Sequence, residues 1–265
     1  RSGAGRAIHI SGEPGIGKTR LIREFLTSAL LNGAQTIELG AQPHDLRRPF
    51  STIAELASQL LRANGALGAA PASIATLRRL VTVDPGDIEA TEPPVASPAE
   101  MEARLAAALT DLVDAITQER SLIVAVEDVH WADSASRRVI DAILSDRRPR
   151  RLLWLLTSRG LAGDPLARAT SVALRVLDST ESAYFVARYL ETRIANPPAT
   201  LAATVLRLGG GNPFYLRSLC DYFADSGDYE STPPQLRDIV LQRVRGLDAR
   251  SRTGLSLCAV RGRYA

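Results

Sequence analysis

At 265 residues, 45% hydrophobic and 23% charged, the chain has the composition of an ordinary soluble globular protein, with room for one large domain and one or two small ones. A formal charge of +3 and a pI near 9.1 trace to local arginine clusters and do not by themselves point to nucleic acid. Cys220 and Cys258 are too few and too far apart for a metal site and read as free thiols; no run approaches the roughly 20 apolar residues of a membrane span and no signal peptide is recognisable, so a cytoplasmic location is expected.

The short β-branched run Ala7-Ile8-His9-Ile10-Ser11 predicts a buried strand. GEPGIGKT follows at Gly12 to Thr19, then Leu21, Ile22, Phe25, Leu26, Ala29 and Leu30 at helical spacing, so a helix starts at about Gly17. Strand, glycine loop and helix are the context a P-loop requires. Gly12, Gly15 and Gly17 let backbone N–H groups close around an anion, and the helix start adds partial positive charge. Lys18 would reach the β- and γ-phosphates of a nucleotide and Thr19 would be a Mg²⁺ ligand. Lys18 is the one lysine in a chain whose other fixed cations are all arginine, which argues that a slender point charge is required there. Glu13, Pro14, Ile16 and Arg20 complete the stretch expected to contact nucleotide.

Gln35 to Gly40 predicts a second strand, and Pro49 to Arg62 a helix with Phe50, Ile53, Leu56, Ala57, Leu60 and Leu61 on one face. Residues 63–99, rich in Ala, Pro and Gly, read as a variable, weakly ordered insert with a short helix near Ile74 to Leu80. Ser97 then caps a long amphipathic helix with Pro98 in its first turn. Ser121 to Val126 predicts a buried strand, Ser134 to Ser145 a helix burying Val139, Ile140 and Ile143, Arg151 to Ser158 another buried strand, and Ser171 to Val176 a fifth. Aliphatic strands alternating with helices mean a parallel five-stranded α/β sheet with right-handed crossovers. Beyond Asp178 the pattern is all-helical: a capping box at Asp178 and Glu181, a break at Asn196-Pro197-Pro198, a sharp turn at Gly209-Gly210-Gly211-Asn212 with Pro213 opening the next helix, a polar linker from Asp225, and helices at Pro234 to Arg245 and Asp248 to Val260. Both ends look cut, so the chain reads as a piece of a longer polypeptide.

A P-loop needs an acidic partner at the end of a neighbouring strand. LIVAVED places Glu127 and Asp128 at such a carboxyl end, where one carboxylate would hold the Mg²⁺ shell and the other would orient the attacking water. Arg159, at the end of the strand Leu152 to Ser158, lies in reach of a γ-phosphate if that strand sits between the other two. His130 is expected to order its loop, His9 and His44 to be structural, Trp131 to be a packing anchor and Trp154 core. The run Arg147-Arg148-Pro149-Arg150-Arg151 reads as a solvated loop opposite the active edge of the sheet.

EDVHWADSAS at Glu127 to Ser136 resembles the Walker B signature of STAND-class ATPases, and more narrowly that of the MalT-like and large ATP-binding LuxR-family regulators of bacteria. GEPGIGKTRL at Gly12 to Leu21 and GGGNPFYL at Gly209 to Leu216 resemble the same group. The resemblance implies a P-loop NTPase fold of AAA-like strand order, with an extra strand between the P-loop and Walker B strands, over residues 1–176. It implies a helical lid over 177–226 and the start of a winged helix over 227–265. It also implies that Pro213 packs on adenine, that Arg159 is the sensor and that ATP/ADP exchange with Mg²⁺ switches self-association. DNA would be reached only through a domain outside this chain. Glu127 departs from the Asp that many members carry, so the division of labour with Asp128 stays open. The function expected is a slowly hydrolysing ATP-dependent switch. Alternatives are an AAA+-type motor, the ATPase module of a cyclase- or kinase-linked signalling protein, or a scaffold that binds nucleotide as a structural element.

Overall fold

The computed structural model describes residues 6–82, 97–146, 148, 150–159, 169–194, 196–227 and 251–256. In order these form β1 (Arg6–Ser11), α1 (Lys18–Leu31), β2 (Gln35–Gly40), α2 (Ser51–Leu60), α3 (Pro71–Thr82), α4 (Pro98–Glu119), β3 (Leu122–Glu127), α5 (Ser134–Ser145), β4 (Leu152–Ser158), β5 (Thr170–Ala173), α6 (Ser179–Glu191), α7 (Ala199–Gly209) and α8 (Pro213–Ser226). A further helical turn covers 251–256. Two compact units result: Arg1–Gly12 with Lys18–Ala173, and Glu13–Gly17 with Leu174–Ala265.

The first unit is an α/β layer structure of the P-loop NTPase type. Its sheet is parallel throughout and ordered β2-β3-β4-β1-β5, so β4 lies between the P-loop strand β1 and the acidic strand β3. All six residues of β3 are buried, as expected of a strand covered on both faces. Trp154 on β4 joins Leu39, Ile53, Leu56, Leu109, Leu112, Ile116 and Val124 in one apolar cluster. β5 is shorter than its sequence pattern and fully exposed, as an edge strand can be.

Three sequence expectations are corrected here. The short helix expected near Ile74 to Leu80 is present and longer, as α3, and the rest of 63–82 is not a weakly ordered insert. A turn at Ala66–Gly68 and the twelve-residue α3 bury Ala66, Ala69, Leu77 and Leu80 in the main core. The small residues serve close packing: a Cβ on Gly65, whose φ is +90°, would lie 3.1 Å from the Ile116 Cα on α4. Ser97 precedes α4 as expected, yet its hydroxyl makes no capping bond; its carbonyl accepts instead from the Glu100 N–H at 2.8 Å. Residues 83–96 lie outside the described residues.

The third correction concerns the arginine run. Arg150 is 7% exposed, and its guanidinium is paired with Asp114 on α4 and, at 2.6 Å, with Asp146; Arg148 joins the same two carboxylates at 3.1 and 2.7 Å. These bonds hold the Asp146 carboxyl well below its ordinary range, chiefly through the Arg148 side-chain and backbone N–H groups and then Arg150. Arg147 and Pro149 lie outside the described residues. We expect Arg150→Met to cost about 2–3 kcal/mol at pH 7, because Asp114 and Asp146 would lose their buried partner and keep only the exposed Arg148. The sign with pH follows from Asp146. Its folded pKa is depressed, so its contribution is complete above the unfolded carboxylate value near 4 and is lost as pH falls towards the folded value. Denaturant unfolding should show the gap between wild type and Arg150→Met narrowing from pH 7 to pH 3.

In the second unit, α6 carries the expected capping box: Asp178 Oδ1 accepts from the Glu181 N–H at 2.9 Å and Glu181 Oε2 from the Asp178 N–H at 2.8 Å. Val186, Leu190, Leu201, Val205, Leu216, Leu219, Cys220 and Phe223 form a separate core. Cys220 is a free thiol, and burial followed by the nearby Asp221 pushes its pKa up to about 12, which makes it unreactive. Gly211 turns the chain between α7 and α8 at φ +74°, where a Cβ would meet the Leu177 carbonyl at 2.4 Å. The helices expected at Pro234 to Arg245 and Asp248 to Val260 lie outside the described residues apart from 251–256, as does the rest of the winged-helix start.

Candidate nucleotide site

The strand order brings three carboxyl ends together. β1 and β4 finish in register, Ser11 beside Ser158, and on the other side of β4 the pairing of β3 runs to Val126 beside Leu156. Glu127 and Asp128 therefore emerge next to Thr157, one strand away from the glycine loop. In open parallel sheets this edge is where ligands gather.

The glycine loop leaves β1 at Gly12 and enters α1 at Lys18. Gly15 and Gly17 take φ of +79° and +105°, angles that side chains rarely adopt. Ile16 is buried, whereas Glu13, Pro14, Gly15 and Arg20 are exposed. Lys18 Nζ donates to the Gly12 carbonyl at 2.7 Å, so the side chain reaches back to the end of β1. Its pKa is lowered, first by burial; Asp128 pulls it back up, Arg159 lowers it further and Glu127 raises it. Two carboxylates and one guanidinium thus act electrostatically on one ammonium.

Glu127 is 2% exposed and accepts a hydrogen bond from the Thr19 hydroxyl. A hydroxyl paired with a buried carboxylate is a hard-oxygen donor set. It fits Mg²⁺, which takes one or two carboxylates and fills its remaining positions with water and phosphate oxygens. Among the described residues no cluster of three or more His, Cys, Asp or Glu forms a self-sufficient metal cage.

Asp128 is one of two described non-glycine residues with positive φ, at φ 52° and ψ 43°. Asp tolerates this left-handed conformation better than most residues, and here its N–H donates to Thr157 Oγ1 at 2.8 Å. The turn Val129–Trp131 follows, with the Trp131 N–H donating to the Asp128 carbonyl at 2.8 Å. Asp133 then caps α5: its Oδ1 accepts from the Ser136 N–H at 2.8 Å and from the Phe50 N–H at 2.9 Å. Ser136 Oγ accepts from the Ile53 N–H at 3.2 Å. The tail of the acidic motif thus staples the start of α2 to the start of α5, a role that sequence reading missed.

Arg159 is exposed, and its guanidinium carbon lies 5.6 Å from the centroid of the Trp131 ring. His130 packs on the same indole, with ring centroids 4.8 Å apart. His9 Nε2 and Ser158 Oγ are 2.9 Å apart and buried, which ties β1 to β4; His44 lies 3.6 Å from Asp45.

In the second unit, the residues Glu13–Gly17 lie together with α8. Asn212 caps α8, and its Nδ2 donates to the Pro14 carbonyl at 3.0 Å. The Phe214 N–H donates to the Gly15 carbonyl at 3.3 Å and to Asn212 Oδ1 at 3.0 Å, while Pro213 is the first residue of the helix. A Cβ on Gly15 would stand 2.6 Å from the Phe214 Cβ, so this approach demands glycine. The sequence places Asn212 in a turn and in the motif GGGNPFYL without singling it out as a cap. Its position before a helix-opening proline is the cap signal that could have singled it out.

The profile of the AAA ATPase domain matches residues 1–155. The chain belongs to that family. Family membership makes it a nucleotide-binding ATPase domain. An uncharacterized protein of Rhizobium meliloti (strain 1021) is 28% identical over 244 residues, covering 85% of this chain; the chain spans 23% of that relative's length. Among solved structures, it is similar to a signal transduction ATPase with numerous domains (STAND) from Pyrococcus horikoshii that carries a tetratricopeptide repeat sensor, at TM-score 0.56 and 14% identity over 96% of this chain and 32% of that one. It is also similar to a Walker-type ATPase of Pyrococcus abyssi, at TM-score 0.53 and 15% identity over 97% and 71% of the two chains. At such identities these likenesses bear on fold.

Within the first unit, Lys18 is bonded to Gly12 and Thr19 to Glu127, and the charges of Asp128 and Arg159 act on Lys18. No helix among the described residues is long and apolar enough to cross a membrane.

Proposed function

We propose that this AAA ATPase domain is the ATP- and Mg²⁺-binding switch module of a larger bacterial STAND-class regulator, of the MalT-like or LuxR-family kind. The observation that carries the reading is the Thr19–Glu127 hydrogen bond beside a buried, singular lysine, which joins the P-loop helix to the acidic strand. In this reading Lys18 would neutralise the β- and γ-phosphates, and Thr19 and Glu127 would hold Mg²⁺, which would supply further charge neutralisation for the phosphates. Asp128 orients the attacking water, Arg159 contacts the γ-phosphate and Pro213 packs on adenine. Slow hydrolysis to ADP resets the state, and exchange governs self-association. Transcriptional output and DNA contact belong to a part of the protein outside this chain. The small share of the Rhizobium relative that is spanned supports a module within something longer, and the fold likeness to a STAND protein supports the class.

A switch requires ATP and ADP to differ in their affinity for its states; a ligand that binds both states equally shifts nothing. The test is titration of fluorescent ATP and ADP with Mg²⁺ and with a chelator, on wild type and Thr19→Val. Wild type should bind ATP about tenfold more tightly with Mg²⁺, and Thr19→Val should lose most of that gain while its Mg²⁺-free affinity stays the same. Equal ATP and ADP affinities in wild type under both conditions would sink the switch reading.

A further inference from the structure

The acidic strand and β4 meet in one hydrogen-bonded corner, and that corner carries more than the carboxylates. Thr157 Oγ1 accepts the Asp128 N–H, and the left-handed turn at Asp128 sends the chain through Val129–Trp131 so that the indole returns beside the end of β4. Arg159 lies two residues beyond Thr157, with its guanidinium over that indole. Trp131 itself packs against the main core, so its ring is anchored from below. Arg159 is exposed, and an unsupported arginine there would spread over many rotamers. It also stands close enough to Lys18 to disfavour that ammonium. Two like charges tend to drive the guanidinium outward into solvent, and the aromatic face opposes that drift.

We propose that Trp131 is a positioning residue for Arg159, a rigid aromatic shelf that holds the guanidinium at the γ-phosphate edge of the site and so sets the discrimination between ATP and ADP. The inference rests on the reading of Arg159 as the γ-phosphate contact. It also makes Trp131 a reporter. The chain has two tryptophans; the other, Trp154, is 2% exposed in the core, and its indole N–H has no hydrogen-bond partner among the described residues. Trp154→Phe therefore removes no hydrogen bond and leaves Trp131 as the one indole.

The test compares ATP and ADP affinities in wild type, Trp131→Phe, Trp131→Leu, Arg159→Ala and the Trp131→Leu/Arg159→Ala double variant, with melting temperature as a control on folding. Trp131→Leu keeps apolar bulk for the core and loses the aromatic face. It should lower the ATP-to-ADP affinity ratio about three- to fivefold with ADP affinity unchanged, the scale of one cation–aromatic contact. Trp131→Phe should stay within about twofold, and the double variant should match Arg159→Ala, because both changes remove one interaction. An unchanged ratio in Trp131→Leu alongside a collapsed one in Arg159→Ala, or additive losses in the double variant, overturns the shelf alone. An unchanged ratio in Arg159→Ala overturns the γ-phosphate reading, and the shelf with it. In the Trp154→Phe background, which leaves Trp131 intact, emission should differ between ATP and ADP and lose that difference on Arg159→Ala. Identical emission with both nucleotides counts against the shelf.

Discussion

Lys18→Ala should lower the affinity for ATP on the order of a hundredfold, about 2.7 kcal/mol, in equilibrium binding of a fluorescent analogue. The size follows from what the ammonium is asked to do: charge-assisted hydrogen bonds to phosphate are worth about 1.5–3 kcal/mol each, and no second lysine exists to replace it. The same burial has a cost in the nucleotide-free chain. The folded pKa of Lys18 is lowered, chiefly by desolvation, below its ordinary value near 10.5. A lysine with a depressed folded pKa opposes folding while both states are charged, and that opposition is relieved as pH rises through the window between its folded value and 10.5. The stability of wild type relative to Lys18→Met should therefore move in favour of wild type as pH rises towards 10.5. The methionine variant gives up the bond to the Gly12 carbonyl at every pH, so the slope, rather than the offset, reports the buried charge. An ATP affinity unchanged in Lys18→Ala would remove the loop from nucleotide binding altogether.

Much of this site is local in sequence, and that is why it could be read there. The glycine loop sits between a six-residue strand and a fourteen-residue helix whose periodicities are unambiguous, and Glu127-Asp128 ends a strand with no polar residue before it. The position of β4 between β1 and β3, on which the reading of Arg159 depended, needed only the ordinary rules of parallel α/β sheets and a family resemblance. What escaped notice depends on distant partners. Arg150 looked solvated because it stands among other arginines, yet it is buried by Asp114, which lies 36 residues earlier. Asn212 looked like turn chemistry until Pro14, 198 residues away, supplied its acceptor. The alanine- and glycine-rich stretch at 63–82 misled for a different reason: small side chains mark weak packing when nothing is near and very close packing when a helix is, and composition alone does not distinguish the two. Trp131 was read as packing, and it does pack; its upper face became visible only with Arg159 beside it.

The sharpest division the structure suggests is between the two neighbouring carboxylates. Glu127 is buried and bound to the Thr19 hydroxyl, so it is committed to that pair. Asp128 is only partly buried, and what fixes it is its backbone, held left-handed by the Thr157 hydroxyl while the carboxylate stays available. Asp128→Asn should therefore lower kcat for ATP hydrolysis by 10²- to 10³-fold, on the order of general-base removal, with ATP affinity within about threefold of wild type. Asparagine suits this test because it shares the tolerance of Asp for positive φ, so charge is removed without backbone strain. Glu127→Gln should differ in kind, weakening Mg²⁺-dependent ATP binding about tenfold before any effect on turnover is considered, since a neutral amide is a poorer ligand for a hard cation. Thr157→Val leaves both carboxylates and removes the acceptor for the Asp128 N–H. It should reproduce the kcat loss of Asp128→Asn on a smaller scale, about tenfold, and Thr157→Ser should restore most of it. Full turnover in Asp128→Asn, with the loss appearing instead in Glu127→Gln at undiminished Mg²⁺ affinity, would reverse the assignment. The left-handed turn would then serve the Trp131 shelf rather than the reacting water.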